Sequence, residues 1–168
     1  MRNESGFTLI ELVVTLTIAA LVMAFAIPSM GTFIKNERLT TQINTLVGHL
    51  AYARSEAVTR RQQVILCASN NMTSCAGANW AAGWILFVDA DNDSVFTAGE
   101  QILRVKQALE GGNTLVSSTG AIIIYDNRGF SPNSGTFSLC DDRGAAYVKS
   151  ISISNTGRVR RGGSVSCV

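Results

Sequence analysis

Three arginines near the C-terminal end could do the most specific chemistry in this chain. In Thr156-Gly157-Arg158-Val159-Arg160-Arg161-Gly162-Gly163, strand alternation puts Arg158 and Arg160 on one side. Arg161 is expected at an adjoining turn, where the glycine pair allows close backbone approach. Guanidiniums stay charged and present their donors in a planar fork, so three of them without a neighbouring acid can clamp phosphates, as on a nucleic-acid backbone. Arg143 and Lys149 extend the patch. After Asp142 come five basic side chains and no acid, although basic and acidic residues balance at eight each from Gln62 onward and the whole chain carries only +2. A solvated basic edge strand is the competing reading, since edge charges protect against pairing with another chain.

Asp89, Asp91, Asp93 and Glu100 fall at positions one, three, five and twelve of an EF-hand-like loop, the spacing by which carboxylates surround calcium. Position six is Ser94 rather than glycine, and the residues before Asp89 read as a strand rather than a helix. The loop is therefore read as a solvated acidic turn. No metal or other cofactor is assigned to the chain.

The chain shows no His-Glu-x-x-His, no Gly-x-Ser-x-Gly and no phosphate-cradling glycine-rich loop, which argues against an enzyme. Its only histidine, His49, is expected on a solvated helix face with no partner set, and Asp141 and Asp142 read as a hydrophilic turn. The four cysteines, Cys67, Cys75, Cys140 and Cys167, are an even number in a region expected to face an oxidising space. Of three possible pairings, Cys67 with Cys75 and Cys140 with Cys167 is expected, because it staples a short loop and ties down the C-terminus. On the chain-entropy model these closures contribute about 2.5 and about 3.5 kcal/mol. Free buried thiols are the alternative, and no Cys-x-x-Cys supports zinc.

These groups must be positioned by three kinds of element. From Leu12 to Ile34 no side chain is charged, a run of roughly 34 Å as a helix and long enough to cross a bilayer. Glu11 sits just inside its start, where a lone charge costs on the order of 3 kcal/mol unless paired. Pro28 is expected to kink this helix rather than end it. Beyond it Leu39, Ile43, Leu46, Val47, Leu50, Ala53 and Ala57 recur at helical spacing, with Gln42 and His49 elsewhere on the wheel. Strands are predicted over 63–69, 83–89, 102–109, 121–125, 136–140, 147–154 and 157–161, and loops at Gly111-Gly112-Asn113 and Ser131 to Gly135. The fold class is α+β: a long N-terminal helix packed on antiparallel sheets.

Gly6-Phe7-Thr8-Leu9-Ile10-Glu11 resembles the class III signal of type IV pilins and pseudopilins. A secretory signal would instead place its small-residue cleavage site after a shorter apolar core; an ordinary signal anchor is the remaining alternative. The resemblance implies that prepilin peptidase cuts after Gly6 and methylates Phe7, and that Glu11 pairs with the terminal amine of a neighbouring pilin. Its domain reading is a leader at 1–6, a transmembrane and assembly helix at 7–34, and a periplasmic head at 35–168. The stretch Gly83-Trp84-Ile85-Leu86-Phe87-Val88-Asp89 through Ile102-Leu103-Arg104 resembles the FimT-type minor pilin and type II secretion pseudopilin H group, and Gly157-Arg158-Val159-Arg160 matches the Gly-Arg-x-Arg motif of FimT-type minor pilins that bind DNA during natural transformation. The expectation is a minor pilin in the bacterial inner membrane, incorporated into a pilus or pseudopilus, binding DNA through Arg158, Arg160, Arg161, Lys149 and Arg143. Pseudopilin H with a protein cargo, and a purely structural pilin that primes assembly, are the alternatives.

Overall fold

The structure, a computed structural model, describes residues 6–163 and 167, with the backbone alone at 26–29. Leader residues 1–5 lie outside the described residues. The chain forms two compact units, divided between Glu37 and Arg38. Helix α1 (Leu9–Arg60) runs from the first into the second, and the proline at 28 does not end it.

In the first unit α1 opens on a capping box. The Glu11 carboxylate accepts from the Thr8 N–H at 3.0 Å and the Thr8 hydroxyl at 2.9 Å, while the Thr8 oxygen accepts from the Glu11 N–H at 3.3 Å. Ser/Thr followed three residues later by Glu satisfies orphan donors at a helix start reciprocally. Leu9, Ile10, Leu12, Val13, Leu16 and Val22 are all exposed, and a helix apolar around its circumference requires lipid or other helices to cover it. Among the described residues no single helix is long and apolar enough to cross a membrane; Leu9–Phe25 and Met30–Arg60 together are, by length and composition.

In the second unit the remainder of α1 buries the predicted stripe, Leu39, Ile43, Leu46, Leu50, Ala53 and Ala57. Gln42 departs from expectation. It is buried on the core side, where its Nε2 donates to the Glu110 carbonyl at 2.9 Å and its Oε1 accepts from Asn113 at 2.6 Å. These bonds satisfy a buried amide and hold the loop after the third strand against the helix.

Eight strands follow among the described residues: β1 (Gln63–Ala68), β2 (Gly83–Asp89), β3 (Ile102–Gln107), β4 (Thr114–Ser117), β5 (Ile122–Tyr125), β6 (Gly135–Cys140), β7 (Lys149–Ile153) and β8 (Val159–Arg161). They make two antiparallel sheets, ordered β3-β2-β1-β5 and β4-β6-β7-β8. In the first sheet β2 is buried along its whole length and β1 nearly so. Val64, Leu66, Trp84 and Leu86 join the α1 stripe, whereas Ile65, Cys67, Ile85 and Phe87 form a second cluster with Met72, Cys75 and Phe96. Both faces are thus covered, so β1 and β2 read as continuous apolar runs. The Cys67–Cys75 disulfide belongs to the cover over the second face, and Cys140 is bonded to Cys167.

Strand β4 was not expected. It has four residues, of which only Leu115 is buried, and it pairs with β6 from Thr114↔Cys140 to Ser117↔Phe137. Residues 145–147 form a 3-10 turn, so β7 begins at Lys149, and β8 begins at Val159 because Gly157 and Arg158 belong to a turn.

Candidate functional site

Among the described residues the second sheet ends at β8, which is paired with β7 alone. The β7–β8 connection is a tight turn: the Ser154 N–H donates to the Arg158 carbonyl at 3.0 Å and the Gly157 N–H to the Ser154 carbonyl at 2.8 Å. Gly157 has φ 73 and is buried, and a Cβ there would lie 2.0 Å from the Gly129 carbonyl oxygen. Only glycine fits that combination of left-handed backbone and close approach. The same Gly129 oxygen accepts from Arg54 Nε at 3.0 Å. Helix α1 therefore holds the 126–130 turn, that turn seats Gly157, and Gly157 fixes the hairpin carrying the arginines.

Arg158 and Arg160 are both exposed, and Val159 between them packs against the core. Both arginines line an open groove of about 820 Å³ with Ser134, Thr136, Ser152 and Asn155, and none of its lining residues is acidic. Guanidiniums beside hydroxyl and amide groups make the donor set that phosphate oxygens accept from.

Arg161 is part of β8 rather than the following turn, and it faces away from that groove. Its Nη2 donates to Asn44 Oδ1 of α1 at 3.0 Å, and with Lys149 it lines a pocket of about 300 Å³ that includes Thr40, Ile43 and Ile151. The expected cluster of three is thus a pair on one side of the edge strand and Arg161 with Lys149 on the other. Arg143 is in neither group. It is largely buried, paired to Asp141 at 2.6 Å and stacked over the Tyr147 ring at 3.9 Å, so burial and an acid partner take its charge out of the patch.

His49 corrects a second expectation. It is half-buried rather than solvated, and its Nδ1 accepts from the indole N–H of buried Trp84 at 2.9 Å. Burial, and then the charges of Arg104 and Lys106, hold its pKa below the ordinary histidine range. The acidic loop corrects a third: Asp91 and Asp93 are exposed, but Asp89 is wholly buried. At the other end of the chain Gly6 and Phe7 are exposed and precede the helix, and Glu11 is occupied by Thr8. That capping role had a signal in the sequence, Thr-x-x-Glu before an apolar run. The supports Arg54 and Gly129 had none, because they act across a separation of 75 residues.

Comparison with known proteins places this geometry. The family model of the type II transport protein GspH matches residues 42–157, and that of the prokaryotic N-terminal methylation motif matches residues 1–27. Two crystal structures of the type IV minor pilin FimU of Pseudomonas aeruginosa are similar at 23% identity. One has a TM-score of 0.62 over 78% of this chain and 92% of that one, the other a TM-score of 0.59 over 74% and 93%. The minor pseudopilin EpsH from the Type 2 Secretion System of Vibrio cholerae is similar at 10% identity, with a TM-score of 0.55 over 74% of this chain and 95% of that one. At these identities the likeness shows the fold. No curated protein matches the chain significantly. The matched family region ends at residue 157, just before Arg158, so the arginines stand on their own geometry.

Proposed function

The chain belongs to the family of the type II transport protein GspH, and from that premise we propose that it is a minor type IV pilin which captures DNA along β8 of its second sheet. The observation that carries the reading is the groove lined by Arg158 and Arg160, with hydroxyls beside them and no acid in its lining. Lys149 and Arg161 continue the positive field around the strand. Contacts to phosphate alone bind without regard to sequence, which suits the uptake of arbitrary DNA in natural transformation.

The methylation-motif match supports processing by prepilin peptidase between Gly6 and Phe7, with methylation of Phe7. In this reading residues 7–34 cross the inner membrane once, the head faces the periplasm, and Glu11 pairs with a neighbour's terminal amine as the subunit enters a pilus or pseudopilus. A buried carboxylate and a buried amine each need the other. The family match itself favours a second reading, a minor pseudopilin of a type II secretion system with a protein cargo or assembly role.

DNA binding by the full chain in detergent, measured against salt, separates these readings. Each phosphate neutralised contributes about −0.9 to the slope of log affinity against log salt. Changing Arg158 and Arg160 together to Gln should flatten that slope by about 1.8 and abolish DNA uptake, with the melting temperature unchanged. Unaltered affinity and slope in the folded double variant would leave the arginines as edge protection and favour the secretion or assembly role.

A further inference from the structure

We infer that the β2–β3 connection is a calcium site, built on the carboxylates of Asp89, Asp91 and Asp93. Asp89 closes β2 and is wholly buried. Its Oδ2 accepts from Gln63 Nε2 at 2.7 Å and from the Ser94 N–H at 3.1 Å, but its Oδ1 is buried with no hydrogen-bond partner. A carboxylate oxygen withdrawn from water without a donor is costly, and the usual remedies are a paired cation or a metal ion.

No basic side chain supplies that partner: among the described residues no lysine or arginine bonds to Asp89, Asp91 or Asp93. Instead three negative groups converge. One oxygen from each lies within 4.8 Å of the others, a separation that oxygens about 2.4 Å from a shared calcium can span. An all-oxygen, all-carboxylate donor set selects a hard cation over zinc or copper.

The backbone removes the objection raised by Ser94. The sixth position of a calcium loop calls for glycine because the chain turns sharply there, and Ser94 adopts that left-handed turn with φ 63, as Asn92 does with φ 61. Asp91 accepts from the Asp93 N–H at 3.4 Å and Asp93 from the Val95 N–H at 2.7 Å. Glu100, at position twelve, accepts from the Ala90 N–H at 3.1 Å and the Thr97 N–H at 2.8 Å and closes the segment. The ring of Phe96 meets Phe87 edge-on at 5.1 Å, anchoring the loop on the second cluster. With two ligands exposed, the affinity expected is that of extracellular modules, Kd about 10⁻⁴ to 10⁻³ M. The inference does not depend on DNA binding, because the loop belongs to the other sheet.

Equilibrium dialysis of the full chain in detergent against radioactive calcium alone tests it, together with melting in calcium and in EDTA. One calcium per chain should bind in that range and raise the melting temperature. Asp91→Asn with Asp93→Asn, changed at the surface, should weaken binding at least tenfold while leaving the melt in EDTA unchanged. Asp89→Asn should abolish the calcium-induced rise. Absence of stoichiometric binding at about 10 mM, ten times the weakest Kd of this class, overturns the inference. So does full binding by the surface double variant, or a calcium-induced rise retained by Asp89→Asn. A rise with magnesium equal to that with calcium overturns the choice of ion.

Discussion

Replacing Gly157 by Ala tests whether the arginine hairpin is held from beneath as described. At φ 73 an alanine adopts a left-handed conformation that costs about 1 to 2 kcal/mol. Its methyl group would also sit 2.0 Å from the Gly129 carbonyl oxygen, a backbone atom that cannot swing aside. The hairpin or the 126–130 turn must move, and the Arg54 bond to that oxygen is lost with it; a hydrogen bond from a charged group contributes about 1.5 to 3 kcal/mol. The sum is about 2.5 to 5 kcal/mol. At about 3 °C per kcal/mol for a domain of this size, melting should fall by about 8 to 15 °C. Gly162→Ala is the control, since Gly162 has φ 96 but nothing within 4 Å of the added carbon. It should cost only the conformational strain, about 1 to 2 kcal/mol. Circular-dichroism melts of both variants, with disulfides intact, read the difference. Equal shifts in the two would refute the seat on Gly129, and a Gly157→Ala chain melting within about 2 °C of the parent, less than 1 kcal/mol, would refute the strain as well.

Two further outcomes follow from particular contacts. His49 is the only histidine, and its Nδ1 must be unprotonated to accept from Trp84. With its folded pKa lowered by burial and by Arg104 and Lys106, the unfolded chain takes up a proton first as pH falls. Stability should therefore hold above about pH 6.5 and decline below it until the folded pKa is passed; melts between about pH 7.5 and 5.5 should show this slope in the parent and not in His49→Gln, and identical slopes refute it. Glu11→Gln keeps the capping box with Thr8, because Gln serves there as well as Glu, while removing the charge. Mass spectrometry should find normal cleavage and methylation at Phe7, with incorporation into pili lost; normal incorporation of this variant refutes the pairing role.

Much of this molecule was legible in linear order. The apolar run after Glu11, the α1 stripe from Leu39 to Ala57 and the strands β1 and β2 follow from local composition and period, because such elements need little beyond their own residues and one face to bury. What eluded the sequence was set by partners distant along the chain. Strand β4 carries one buried side chain and exists because β6 offers it a ladder. Gln42 has the composition of a solvent position, yet is drawn inward by Glu110 and Asn113. His49 looked solvated until the Trp84 indole was placed against it.

The sequence by itself determined that the basic residues cluster after Asp142 and that Asp89, Asp91 and Asp93 alternate with other residues, since both are matters of order along the chain. Only the tertiary structure decided what those groups face. It divided the arginines between two sides of an edge strand and paired Arg143 with Asp141. It also buried Asp89 with one oxygen unsatisfied while leaving Asp91 and Asp93 in water. Charge and donor capacity belong to a residue, but desolvation and partnership depend on what the folded chain brings within about 4 Å, and that environment decides whether a charged group binds a ligand or serves the fold.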